Sequence, residues 1–128
     1  MAEDDDEDVD LFKDVLTDLA VDVNLEVAVN GIELMKMLED AVVLPELIFL
    51  DLNMPFKNGM LCLEEIKTNH RWKNINVVML STSSQEDQIK AAYEKGADFY
   101  MIKATSYTDF KNSVADCLQK NWQSTKNK

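Results

Sequence analysis

The chain has 128 residues, 46% of them hydrophobic, which suits one domain and suffices to bury a core. Its formal net charge of −11 excludes the basic surface that nonspecific nucleic-acid binding needs, and no apolar stretch approaches the ~20 residues of a membrane helix. The acidic start is no secretory signal, and two widely separated cysteines, Cys62 and Cys117, point to reduced thiols in a cytoplasmic protein rather than a disulfide scaffold.

Seven carboxylates crowd the beginning: Glu3, Asp4, Asp5, Asp6, Glu7, Asp8 and Asp10. Alone, such a run is commonly a solvated acidic end. It becomes a divalent-cation site only if the rest of the chain brings polar groups to it. Phe12, Val15, Leu16 and Leu19 have helical spacing and predict an amphipathic helix over about 8–20. Leu25, Val27 and Val29 alternate and predict a strand, closed by the turn signal Asn30-Gly31. A second helix carries Met35 and Leu38. After Pro45, the unbroken run Leu47-Ile48-Phe49-Leu50 reads as a strand covered on both faces.

Helical spacing returns at Cys62, Leu63 and Ile66, after a loop with Pro55 and Gly59. A second apolar run, Ile75 to Leu80, ends at Ser81-Thr82-Ser83-Ser84. Ser83 with Glu86 forms a capping-box pattern, and Gly96 is the expected end of the helix it starts. Phe99 to Ile102 is the last strand, and Phe110, Val114, Leu118 and Trp122 stripe a closing helix.

Alternating helices and doubly buried strands predict an α/β fold, a parallel sheet with helices on both faces. In such sheets, sites form outside the carboxyl ends of the strands. Asp51, Ser81 and Lys103 each follow a strand, and Glu3 and Asp4 precede the first helix on the same edge. A carboxylate can accept a phosphoryl group as an acyl phosphate, a reaction that needs positioning and charge neutralisation. Clustered carboxylates repel one another unless a cation joins them, and Mg²⁺ favours hard oxygen ligands. Asp51 and Asp4 are candidate direct ligands, with Glu3 acting directly or through water and the backbone carbonyl of Asn53 adding an oxygen. Lys103 would place a positive charge on one phosphoryl oxygen, and Ser81 a hydroxyl on another.

These residues, in this order, resemble the receiver domain (CheY-like) of response regulators in bacterial two-component systems, from Glu3 to about Trp122. The most specific segment runs from Phe49 through Asp51 and Pro55 to Gly59. The resemblance implies a flavodoxin-like doubly wound sheet of order 2-1-3-4-5, with residues 1–124 as receiver and 125–128 as a short tail. It implies Asp51 as phosphoacceptor, Glu3 and Asp4 as the Mg²⁺-binding pair, and Ser81 and Tyr100 as switch residues. Lys103 takes the place of the phosphate-contacting lysine. The implied donor is a sensor histidine kinase or histidine phosphotransfer protein, and the output is contact with a downstream protein rather than catalysis. No output domain fits in the chain, so a stand-alone receiver is expected.

Two features depart from that pattern. Only Met1 and Ala2 precede Glu3, so the first strand is expected to be truncated and the domain weakened or oligomeric. Ala104 stands where the family has proline after the lysine, leaving the cis or trans state of the Lys103-Ala104 peptide open. Two other functions compete. One is a receiver-like interaction module that is not phosphorylated; the other is an aspartyl-phosphate hydrolase, disfavoured by Asn53 in place of its second acid. His70, the sole histidine, lacks partners for a zinc site or a triad.

Overall fold

The two unbroken apolar runs form the middle of a parallel sheet. The computed structural model describes residues 1–3, 5–20, 25–52, 54, 58–103 and 106–119. In chain order these form α1 (Asp6–Asp18), α2 (Gly31–Asp40), β1 (Leu47–Asp51) and α3 (Gly59–Thr68). They continue with β2 (Asn76–Ser81), α4 (Glu86–Glu94), β3 (Phe99–Ile102) and α5 (Tyr107–Leu118). The strands lie in the order β1-β2-β3, all parallel, with Asp51 opposite Leu80 and Ser81 opposite Ile102.

Side chains alternate across this sheet, as a strand's two-residue period requires. Ile48, Leu50, Val77, Met79 and Tyr100 pack with Leu34, Leu38, Leu63, Ile66 and Ala92 of α2, α3 and α4. Phe49, Val78, Leu80 and Met101 pack on the other face with Phe12, Val15, Phe110 and Val114 of α1 and α5. Both faces are therefore covered, which is why the runs are continuous rather than alternating. Leu50, Leu63, Ile66 and Val114 are fully buried, and each such side chain stabilises the fold by about 2 kcal/mol. Phe12 meets Phe49 edge to face at 4.7 Å and ties α1 to the sheet.

The expected second strand does not form. Among the described residues of that segment only Ala28 pairs, through an isolated parallel bridge to Ala2. Ala28 is buried and Val29 is exposed, so the apolar alternation read from Leu25 to Val29 does not set the buried face. A single pairing residue opposite this segment cannot support a longer ladder. Asn30 caps α2 instead of closing a hairpin, its side chain accepting from the Glu33 N–H at 2.9 Å.

Ala2 also bridges Leu50. Its N–H donates to the Phe49 carbonyl at 2.8 Å, and its carbonyl accepts from Asp51 N–H at 3.0 Å. The backbone order across this edge is thus Ala28, Ala2, β1, β2, β3. Beside Met1 an apolar cavity of about 170 Å³ opens between Leu25, Leu34, Leu38, Leu47 and Phe49.

The capping box at Ser83 and Glu86 is also absent. Glu86 is the first residue of α4, Gln85 occupies the cap without a side-chain bond, and Ser83 Oγ accepts from Gln85 N–H. The local turn outcompetes the longer cap. At the other end Gly96 behaves as predicted, at φ +107°. The Gly96 and Ala97 N–H groups donate to the Tyr93 and Ala92 carbonyls, closing a Schellman motif. Trp122 and the 125–128 tail lie outside the described residues, as does the expected boundary at 124.

Candidate functional site

Asp51 ends β1 and is almost completely buried. Two backbone bonds deliver Glu3 to its side: Asp51 N–H to Ala2 and Glu3 N–H to the Ala28 carbonyl at 3.0 Å. Lys103 follows β3, whose register is extended by its own N–H donating to the Ser81 carbonyl at 2.7 Å. Three strand ends and the start of the chain therefore converge on one edge.

There the Lys103 ammonium contacts three carboxylates. Nζ lies 2.9 Å from Asp51 Oδ2, 3.0 Å from Glu3 Oε2 and 3.0 Å from Asp8 Oδ2. An ammonium has three hydrogens, so these contacts match its donor capacity. Burial opposes the charge on Lys103, but the bonds to Asp51, Glu3 and Asp8 outweigh it and raise its pKa above the usual lysine range. Glu3 moves the other way from a free carboxylate. Burial first, then the hydrogen-bonded and negatively charged Asp51, push it from 4.5 to about 8 against the pull of Lys103.

Gly59 lets the helix after Asp51 approach this edge. A Cβ on Gly59 would stand 2.2 Å from the Asp51 carbonyl oxygen and 2.8 Å from Leu52 Cα. Without one, Gly59 N–H donates to the Leu52 carbonyl at 2.9 Å, and Asn58 caps α3 by accepting from Leu61 N–H at 3.0 Å. Ser81 is fully buried, and its Oγ accepts from Ser83 N–H at 3.0 Å. Tyr100 is turned inward, its hydroxyl donating to the Ser83 carbonyl at 3.0 Å, while its N–H donates to the Tyr93 hydroxyl.

Of the residues singled out from sequence, Glu3, Asp51 and Lys103 are thus in contact, Ser81 lies beside them on β2, and Tyr100 reaches the loop that follows Ser81. Asp4, Asn53, Pro55 and Ala104 lie outside the described residues. Asp8 was missed. The acidic run put it on the right edge, but no spacing signal separated it from Asp5, Glu7 or Asp10. Only its place in the first turn of α1 directs it at Lys103.

Among the described residues no group of three or more His, Cys, Asp and Glu side chains is arranged to hold a metal. The donor chemistry nevertheless suits a hard cation. Glu3 and Asp51 bring carboxylate oxygens together in a buried setting, and their mutual repulsion is the kind a divalent ion relieves. The two cysteines, Cys62 and Cys117, are buried in the two cores.

Comparison with known proteins gives the same outline. Residues 1–115 match the family model of the response regulator receiver domain. Response regulator Rcp1 of Synechocystis sp. (strain ATCC 27184 / PCC 6803 / Kazusa) is 36% identical over 114 residues, which is 85% of this chain and 78% of Rcp1. The structure of the phosphorylated cyanobacterial phytochrome response regulator RcpA superposes with a TM-score of 0.84 at 32% identity, covering 97% of this chain and 91% of that one. The Mn(2+)-bound form of Rcp1 gives 0.82 at 33% identity, covering 94% and 90%.

Proposed function

This chain belongs to the response regulator receiver family, and from that premise we propose that it accepts a phosphoryl group on Asp51 from a phosphohistidine and signals through protein contacts. The observation that carries this reading is the Lys103 ammonium 2.9 Å from a buried Asp51 carboxylate at the carboxyl end of β1. An Asp51 oxygen forms the new O–P bond as the donor's P–N bond breaks. The electron pair of that bond stays on the imidazole nitrogen, which takes a proton from solvent. The chain's own contribution is positioning and charge. The β1 and Ala2 backbones hold Asp51 at the edge, Lys103 offers its ammonium to a phosphoryl oxygen, and Ser81, whose Oγ accepts from Ser83 N–H, donates its hydroxyl hydrogen to another.

Glu3, Asp51 and the sequence-assigned Asp4 and Asn53 carbonyl would hold Mg²⁺. When bound, the ion supplies neutralisation of the carboxylate and phosphoryl charge. Support comes from the oxygen-rich donors here and from the Mn(2+)-bound and phosphorylated forms of the two relatives. A sensor histidine kinase or phosphotransfer protein is the donor this reading requires. Ser81 and Tyr100 couple the acceptor to the α4–β3–α5 surface, because the Tyr100 hydroxyl bonds the loop that a shifting Ser81 would move. That surface would meet the downstream protein in the cytoplasm.

The test uses the full chain with Mg²⁺ and acetyl phosphate, followed by intact mass. Wild type is expected to gain one phosphoryl group, Asp51→Asn none, and a chelator should abolish the gain. Equal labelling of both proteins, or of neither, would overturn the reading.

A further inference from the structure

Lys103 is held by one carboxylate more than the proposed phosphoryl chemistry uses. Glu3 and Asp51 are buried, with side-chain exposures of 1% and 6%, whereas Asp8 is 37% exposed and sits in the first turn of α1. We propose that Asp8 is a positioning residue that holds the Lys103 ammonium toward α1 and restrains phosphorylation of Asp51 by competing with the incoming phosphoryl group. The inference rests on the acceptor reading of Asp51 given above.

The geometry supplies both parts of this competition. With its three hydrogens directed at Asp51, Glu3 and Asp8, the ammonium can engage a phosphoryl oxygen only by leaving one of them. Asp51 is the group being modified, and Glu3 is buried, with its backbone N–H held by the Ala28 carbonyl. Asp8 is the exchangeable partner, and it also presents negative charge to an anionic donor. A cavity of about 30 Å³ lined by Glu3, Asp8, Leu11 and Lys103 gives the lysine room to move between these positions. A purely structural Asp8 would behave differently. An acid in the first turn stabilises α1 through the helix dipole, so its loss would loosen the edge and slow the reaction.

The experiment follows acetyl phosphate labelling over time, with Mg²⁺, for wild type, Asp8→Asn and Asp8→Ser, alongside the modification rate of Lys103 by an amine-reactive anhydride. Removing the Asp8 charge is expected to raise the Asp51 labelling rate roughly three- to tenfold, the range a partly exposed ion pair represents. Lys103 modification should rise with it, and the Mg²⁺ midpoint should stay at the wild-type value. Asp8→Glu, which keeps the charge, is expected to label within about twofold of wild type. Wild type labelled but both neutral variants equal or slower would overturn this inference and leave the acceptor reading standing. A shifted Mg²⁺ midpoint in those variants would overturn it too, by assigning Asp8 to the metal. No labelling of wild type would remove both readings together.

Discussion

Glu3 and Lys103 stand 100 positions apart in the chain, yet Glu3 Oε2 accepts a hydrogen bond from Lys103 Nζ at 3.0 Å. The Glu3 carboxyl is nevertheless pushed up to about 8, chiefly by burial and then by Asp51. In the unfolded chain it returns toward 4.5, so the folded state binds the extra proton between those values. That contribution is fully present below about 4.5 and is lost as pH rises through about 8. Without divalent cation, the stability of wild type relative to Glu3→Gln should therefore fall from pH 5 to pH 8. Urea midpoints of the two proteins across this range check it, and a constant difference would count against the buried, proton-holding Glu3.

Lys103→Met leaves Glu3, Asp8 and Asp51 facing one another with no cation. Breaking a buried pair by removing one partner is destabilising, and the expected loss here is roughly 3 kcal/mol at neutral pH. Millimolar Mg²⁺ should return part of it by neutralising the same oxygens. Equal urea midpoints for wild type and variant, or a Mg²⁺ effect no larger than in wild type, would contradict the three-carboxylate geometry.

Gly59→Ala tests the close approach of α3 to the end of β1. The added methyl would overlap the Asp51 carbonyl oxygen, and its nearest obstacles are backbone atoms that cannot rotate away. Loss of stability of roughly 2 kcal/mol is expected, with slower labelling of Asp51 as the strand end shifts. An alanine variant that melts and labels like wild type would show that α3 has room to retreat.

The helices and the three strands that position Asp51, Ser81 and Lys103 were legible because double burial writes itself as unbroken apolar runs. Phe12, Val15 and Leu16 announced α1 in the same direct way. The segment around Ala28 was not legible, because its pairing depends on Ala2, far away in sequence and only one residue long. The α4 start was misread since Ser83 satisfies a nearer N–H than the capping pattern assigns it. Asp8 escaped notice because a carboxylate's partner on another element leaves no local periodicity. The candidate site was therefore readable where it lies at strand ends, and unreadable where a helix surface contributes.

The cavity beside Met1 carries a stability prediction. Its walls are mostly apolar, and the Met1 amino group donates to the Glu26 carbonyl at 2.8 Å while burial lowers its pKa to about 6. Appending four alternating apolar residues before Met1 would replace that buried amine with a peptide bond and continue the backbone pairing along β1. Thermal melting should rise by about 5 °C, whereas a Gly-Ser extension of equal length should give a smaller gain. Equal melting for both extensions would show that the cavity does not accept a strand.

Ala2 pairs with β1 by its own amide and carbonyl, while its neighbours Met1 and Glu3 bond the amide and carbonyl of Ala28. Fraying of the first residues and loss of the Glu3 carboxyl from the site are consequently one opening event, not two. Anything that binds Glu3 shifts that opening equilibrium, so occupancy at the mouth becomes readable in the backbone behind it. The amide of Asp51, which donates to Ala2, should then exchange its hydrogen with solvent more slowly once the site is filled.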